Sequence, residues 1–182
     1  MKNSILLLFF LNFCPCLPAQ EKIEKISWQE ERPLTWADFK AAPDYSISYS
    51  ANTNSGISYS WNYSTATGEP VLEYEVFSNF YPKRSWVKGI ENEEYLLAHE
   101  QLHFDISELH ARKLRKAVEE YEIGRNIRRD LRNIYDRIDK ERVTMQNQFD
   151  RETSHSENRS AEMKWRKFIA AELKKLGNYS NQ

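Results

Sequence analysis

Close to residue 90 the rhythm of apolar residues changes, and that change limits the possible folds more than any other feature of the chain. Before it the period is two. The stretch "SGISYSWNYS" puts Ile57, Tyr59, Trp61 and Tyr63 on one face and Ser58, Ser60 and Asn62 on the other, as a half-buried strand does. "VLEYEVF" repeats the alternation, with Leu72, Tyr74 and Val76 opposed to Glu73 and Glu75, and "GEP" at Gly68 to Pro70 reads as the turn between the two. Ile26 to Trp28 and Ile47 to Tyr49 are read as further short strands. "PLTWADFKAAP" is read as one or two helical turns with Thr35 as N-cap.

After residue 90 the period is helical. Asn92, Glu93 and Glu94 suit a helix start, because acidic side chains favour its positive end. The first helix is expected to run to Ile123, with Gly124 as its stop. A second carries Ile127, Leu131, Ile134, Ile138, Met145 and Phe149. The polar stretch "DRETSHSEN" interrupts, and a last helix carries Trp165, Phe168, Ile169, Leu173 and Leu176. The sequence therefore predicts an α+β fold in one domain over 20–182: an antiparallel sheet in 20–90, mainly β, then about three helices in 91–182, mainly α.

The first 19 residues read differently. Lys2, an apolar run from Ile5 to Phe13, and then Pro and small residues up to Ala19 have the pattern of a secretory signal peptide. The run is shorter than the ~20 residues a bilayer span requires. Cys14 and Cys16 lack the preceding small residue that lipid attachment favours. Both of the chain's cysteines lie in this leader, so the exported chain is expected to fold without a disulfide and to offer no thiolate as ligand or nucleophile. The expected location is the periplasm or the exterior, without stable membrane insertion. The formal net charge of −1 gives no reason to expect a nucleic-acid partner.

Within the first helix, "LLAHEQLHFDISELHARKL" contains His-Glu-x-x-His as His99, Glu100 and His103. Two imidazoles one turn apart can share one ion at the ~2.0–2.1 Å of zinc–nitrogen bonds. Glu100, next to the first ligand, flanks the ion and can take a proton from an activated water. Chance alone would produce the motif in about one chain of this size in a hundred. The alternative is an amphipathic helix whose histidines are satisfied within the core. Leu96, His99, His103, Ile106, His110, Leu114, Ala117 and Tyr121 do share one stripe. A catalytic zinc also needs a third protein ligand and an open position. His110 lies seven residues past His103, about 10 Å along the axis, which leaves it a core or supporting role. Glu108 faces away. His155, in the polar break, is the preferred third ligand, with Asp150, Glu152 and Glu157 as carboxylate rivals.

Three stretches together resemble a bacterial family known as domain of unknown function 922, whose members look like secreted zinc-dependent proteases. They are "LTWADFK", the His-Glu-x-x-His helix, and "QFDRETSHSENRSAEMKW", which is similar to a Tyr-Asp-x-x-Thr-x-His-Gly pattern ending in Trp. The resemblance implies His99 and His103 as zinc ligands and Glu100 as the catalytic glutamate. It adds support for His155 as third ligand, with Asp150 and Thr153 as polar positions that orient it. Phe149 stands where the family tends to have Tyr, and Ser156 where Gly is usual. Gly permits backbone conformations that Ser resists.

The function expected from these readings is that of an exported hydrolase holding one Zn2+ per chain. It would be a zincin-like peptidase acting on peptide or protein substrates, with Glu100 as general base. The competing expectation is a non-catalytic exported binding module of the cell envelope, its metal structural or absent, to which charged stretches such as "RNIRRDLRNIYDRIDKER" are equally suited.

Overall fold

A computed structural model describes residues 23–66, 68–89 and 93–181. The leader expected over 1–19 and the helix start expected at Asn92 lie outside them. The fold is α+β. Strand β1 (Ile26–Ser27) is followed by β2 (Ala51–Asn52), β3 (Ser55–Ser64), β4 (Val71–Phe80) and β5 (Trp86–Val87), then by helices α1 (Glu93–Glu119), α2 (Ile127–Thr153) and α3 (Arg159–Lys175). All strand pairs are antiparallel. One sheet has the order β1-β4-β3, and β2 pairs with β5 in a second.

The long hairpin follows the alternation in the sequence. Tyr59 pairs with Val76 and Trp61 with Tyr74, so both strands turn one aromatic-rich face toward the helices. Gly68 takes φ 92° in the connecting turn, a left-handed conformation that suits a residue without Cβ. Ile57, Val76, Ala111, Leu114, Val118, Leu131 and Ile138 form the core between this hairpin, α1 and α2. A second core joins Leu102, Ile106 and Leu109 of α1 to Phe149, Trp165 and Ile169 of α2 and α3. A third packs Leu34 and Phe39 on Phe80 and Phe104.

Helix α1 thus meets all three cores. Its apolar residues do not form the single stripe read from the sequence, because the sheet, the N-terminal segment and the other helices cover different sides of it. Such all-round burial marks a central helix. The polar side chains on α1 need partners for the same reason. Glu108 accepts from Arg112 and Arg115, and Arg115 also donates to the carbonyls of Val76 and Tyr179. This network ties β4 and the C-terminal turn to the middle of α1.

Three boundaries differ from the expectation. Ile47 to Tyr49 is not a strand. The extended pair comes at Ala51–Asn52, where β5 supplies main-chain partners. Helix α1 ends at Glu119 rather than Ile123, since the chain turns there and the Tyr121 hydroxyl donates to Asp130 at 3.1 Å. Helix α2 continues to Thr153, taking in the first half of the polar break. Thr35 does cap a short 3-10 turn at Trp36–Asp38, where its N–H donates to the Asp38 carboxylate at 2.8 Å. Among the described residues no helix is long and apolar enough to cross a membrane.

Candidate metal centre

The ligand turn of α1 is laced to the N-terminal segment. Thr53 Oγ1 donates to the Glu100 carbonyl at 3.2 Å, and Ser55 Oγ to the His103 carbonyl at 3.2 Å. This draws residues 49–53 over His99, Glu100 and His103. Helix α2 closes the other side. A cleft of about 280 Å³ results, lined by Tyr49, Thr53, His99, Glu100, His103 and Asp150, with Asn52, Asn147 and His155 near them.

His99, His103 and Asp150 each offer one ligand atom, and the three atoms lie within 4.8 Å of one another. Asp150 Oδ1 is 2.9 Å from His103 Nε2 and 3.5 Å from His99 Nε2. Ligands in a tetrahedral shell with bonds of 2.0–2.1 Å stand about 3.3 Å apart, so these separations suit one shared small cation.

The outer nitrogens fix which atoms face inward. His99 Nδ1 lies 3.2 Å from Glu162 Oε2, and His103 Nδ1 lies 3.1 Å from Gln146 Oε1. The Gln146 amide nitrogen donates to Ser107 Oγ and to the His103 carbonyl, which leaves its oxygen to accept. Carboxylate and amide oxygens accept only, so each imidazole donates from Nδ1 and turns its Nε2 to the cleft, where Asp150 Oδ1 faces both rings. Two ring nitrogens and a carboxylate then converge, a set that could hold a metal ion. Glu162 is fully buried and takes a further ion pair from Arg166. A carboxylate behind a ligating imidazole sets its orientation and raises its basicity. Phe149 backs both rings, with centroids 4.5 Å from His99 and 5.0 Å from His103.

Charge follows the geometry. Burial disfavours the imidazolium of His99, yet its hydrogen bonds to the Asp150 and Glu162 carboxylates and the nearby Glu100 raise its pKa to about 9. Burial also opposes ionisation of Asp150, but the two imidazoles hold its carboxyl well below the usual range. Tyr95 is pushed up to about 12 by burial and by Glu162. Glu100 is buried, and its Oε2 has no hydrogen-bond partner. An orphaned buried carboxylate oxygen is costly unless something occupies the space before it.

Of the candidates for the third position, Asp150 lies against both imidazoles and joins His99 and His103 in the group that could hold a metal, while His155, preferred from the sequence, stands farther out. Because α2 extends to Thr153, Asp150 falls on its inner face one turn beyond Gln146. His155 comes after the helix has ended, in a left-handed turn. Its Nδ1 is 3.7 Å from Asp150 Oδ1, its side chain is 50% exposed, and its ring stacks on Tyr49. Thr153 closes α2, its hydroxyl donating to the Phe149 carbonyl at 2.7 Å and lying 3.4 Å from the Asp150 carbonyl. His110 is a core residue, fully buried with Nδ1 donating to the Ile106 carbonyl at 2.8 Å. Glu152 is engaged by Trp165 Nε1 and Gln148.

The fold and site are those of an α+β protein with a candidate two-histidine, one-carboxylate metal centre beside a buried glutamate. Residues 82–156, from just before β5 to the end of the left-handed turn, match the model of a family described as bacterial protein of unknown function (DUF922). That span holds His99, Glu100, His103, Asp150 and His155, and it supports the family likeness read from the sequence. No curated protein and no solved structure gives a match.

Proposed function

We propose that the protein is an exported metal-dependent hydrolase, with zinc as the ion and a peptide bond as the target. The observation that carries this reading is the set of converging ligand atoms of His99, His103 and Asp150 beside the unpartnered Oε2 of Glu100. Zinc suits two imidazoles and a carboxylate with a fourth position left open. When bound, it would supply Lewis acidity to a water and to the scissile carbonyl.

The remaining chemistry belongs to the chain. Glu100 takes one proton from the attacking water as its oxygen bonds to the carbonyl carbon, then gives that proton to the leaving amine as the carbon–nitrogen bond breaks. Glu162 and Gln146 keep both imidazoles aimed at the cleft, and Phe149 stops them from rotating.

The test is zinc content together with proteolysis of an unstructured protein by the purified chain. About one zinc per chain and cleavage abolished by a chelator are expected. Glu100→Gln should retain the zinc and lose about 10²–10⁴-fold in rate, the usual share of a general base. Full activity in Glu100→Gln would remove the mechanism. A zinc-loaded protein without hydrolytic activity would favour the binding-module alternative.

A further inference from the structure

Three parallel rings stand at the mouth of the cleft. Tyr49 stacks on Trp86 with centroids 5.9 Å apart and planes at 6°. Its other face meets His155 at 4.9 Å and 15°. Trp86 is buried on β5, so the Tyr49 ring is clamped between a fixed wall and an imidazole. Both Tyr49 and His155 line the cleft of the metal centre and the groove that continues from it.

Delivering His155 to this place is costly for the backbone. Ser154, His155 and Ser156 take φ values of 50°, 50° and 77°, three successive L-residues in the region that favours glycine. The His155 ring is half exposed, so core packing does not offset the cost. Strain of this kind collects at functional sites.

Peptide hydrolysis needs a donor aimed at the carbonyl oxygen as it gains charge. Thr53 and Gln146 already commit their donors to the backbone of α1. Burial and the carboxylates of Asp150, Asp44 and Glu100 raise the pKa of the Tyr49 phenol above its ordinary value of 10.0. The phenol therefore keeps its proton at neutral pH and lies within reach of the field of the two acidic groups in the site.

We propose that Tyr49 is the hydrogen-bond donor to the oxyanion formed from the scissile carbonyl, and that His155 is a positioning residue holding the Tyr49 ring against Trp86. The proposal rests on the peptidase reading of the cleft. No bond to Tyr49 forms or breaks. The hydrogen bond from its O–H shortens as water adds and relaxes as the amine leaves.

The test compares the full-length protein with Tyr49→Phe, His155→Phe and His155→Ala. Zinc content should be the same in all four. Tyr49→Phe should keep KM and lose about 10²-fold in kcat, the usual cost of one oxyanion donor. Its affinity for a phosphinic peptide, which mimics the tetrahedral oxyanion, should fall by a similar factor. His155→Phe, which keeps a stacking ring, should stay near the original kcat, and His155→Ala should lose much of it. In metal-free protein the near-ultraviolet circular dichroism of the Tyr49–Trp86 pair should persist in His155→Phe and weaken in His155→Ala. Unchanged kcat in Tyr49→Phe overturns the donor role and leaves the peptidase reading standing. Loss of zinc in His155→Phe overturns the positioning role by making His155 a ligand. An original protein that binds zinc and hydrolyses no peptide removes the peptidase reading and the role of Tyr49 with it.

Discussion

Replacing Ser156 with Gly should stabilise the protein. Ser156 has φ 77°, where an L-residue costs roughly 1–2 kcal/mol because Cβ crowds the following carbonyl. Gly removes that cost but gives the unfolded chain more freedom, worth about 0.4–1 kcal/mol against folding. The net expectation is about 0.5–1 kcal/mol of added stability, or a rise in Tm of about 1–4 °C for a domain of this size. Ser156→Ala is the control, because it removes the hydroxyl and keeps Cβ, and it should give no gain. Urea unfolding of metal-free protein, with m unchanged across the three, reads the difference directly. If Ser156→Gly is neutral or less stable than Ser156→Ala, the turn is not strained at this position. The physical ground for treating its delivery of His155 as costly then disappears.

Three further outcomes follow from the same geometry. His110 is fully buried, and burial lowers its pKa from 6.5 to about 4. The unfolded chain therefore binds a proton between those values that the folded chain refuses, and stability falls as pH drops from 6.5 toward 4, by about 3 kcal/mol at 1.36 kcal/mol per pH unit. His110→Leu should flatten that part of the stability–pH curve, and an unchanged slope would clear His110 of the effect. Glu162→Ala should weaken zinc binding about 10–100-fold without removing a ligand, measured by competition with a chromophoric chelator. An unchanged affinity would show that Glu162 only packs. Leu114→Ala, at a fully buried site between sheet and helices, should cost about 2–5 kcal/mol in urea unfolding. A cost below 1 kcal/mol would contradict the central place given to α1.

The long hairpin and the three helices were legible because each announces its period over many residues. The short strands were not. Ala51–Asn52 has no pattern of its own and owes its extended form to pairing with Trp86–Val87. His99, Glu100 and His103 were legible as a spacing on one helix. The place of Asp150 against both imidazoles was not, because it depends on where α2 stops, and small polar residues over 150–158 gave no such boundary. A signal was nevertheless present. The apolar spacing of α2 skips from Ile138 to Met145, and the face between is carried on by Arg142, Gln146 and Asp150. Arg142 donates to the Ser55 carbonyl, Gln146 meets His103, and Asp150 meets both imidazoles. Glu162 shows the same signature, a charged residue three positions before Trp165 on the buried stripe of α3. Polar residues at core-facing positions of a helix are the mark of the cleft, and of these only Asp150 stands out from the sequence, as a carboxylate candidate.

The stoichiometry and identity of the ion's ligands test the central claim most directly. Zinc content of the purified protein, of Asp150→Ala and of His155→Ala, joined to X-ray absorption at the zinc edge, would measure both. The expected result is about one zinc per chain bound by two imidazoles and oxygen, lost in Asp150→Ala and kept in His155→Ala. Zinc kept in Asp150→Ala and lost in His155→Ala would restore the histidine as third ligand. No zinc in the original protein after reconstitution would contradict the metal centre itself.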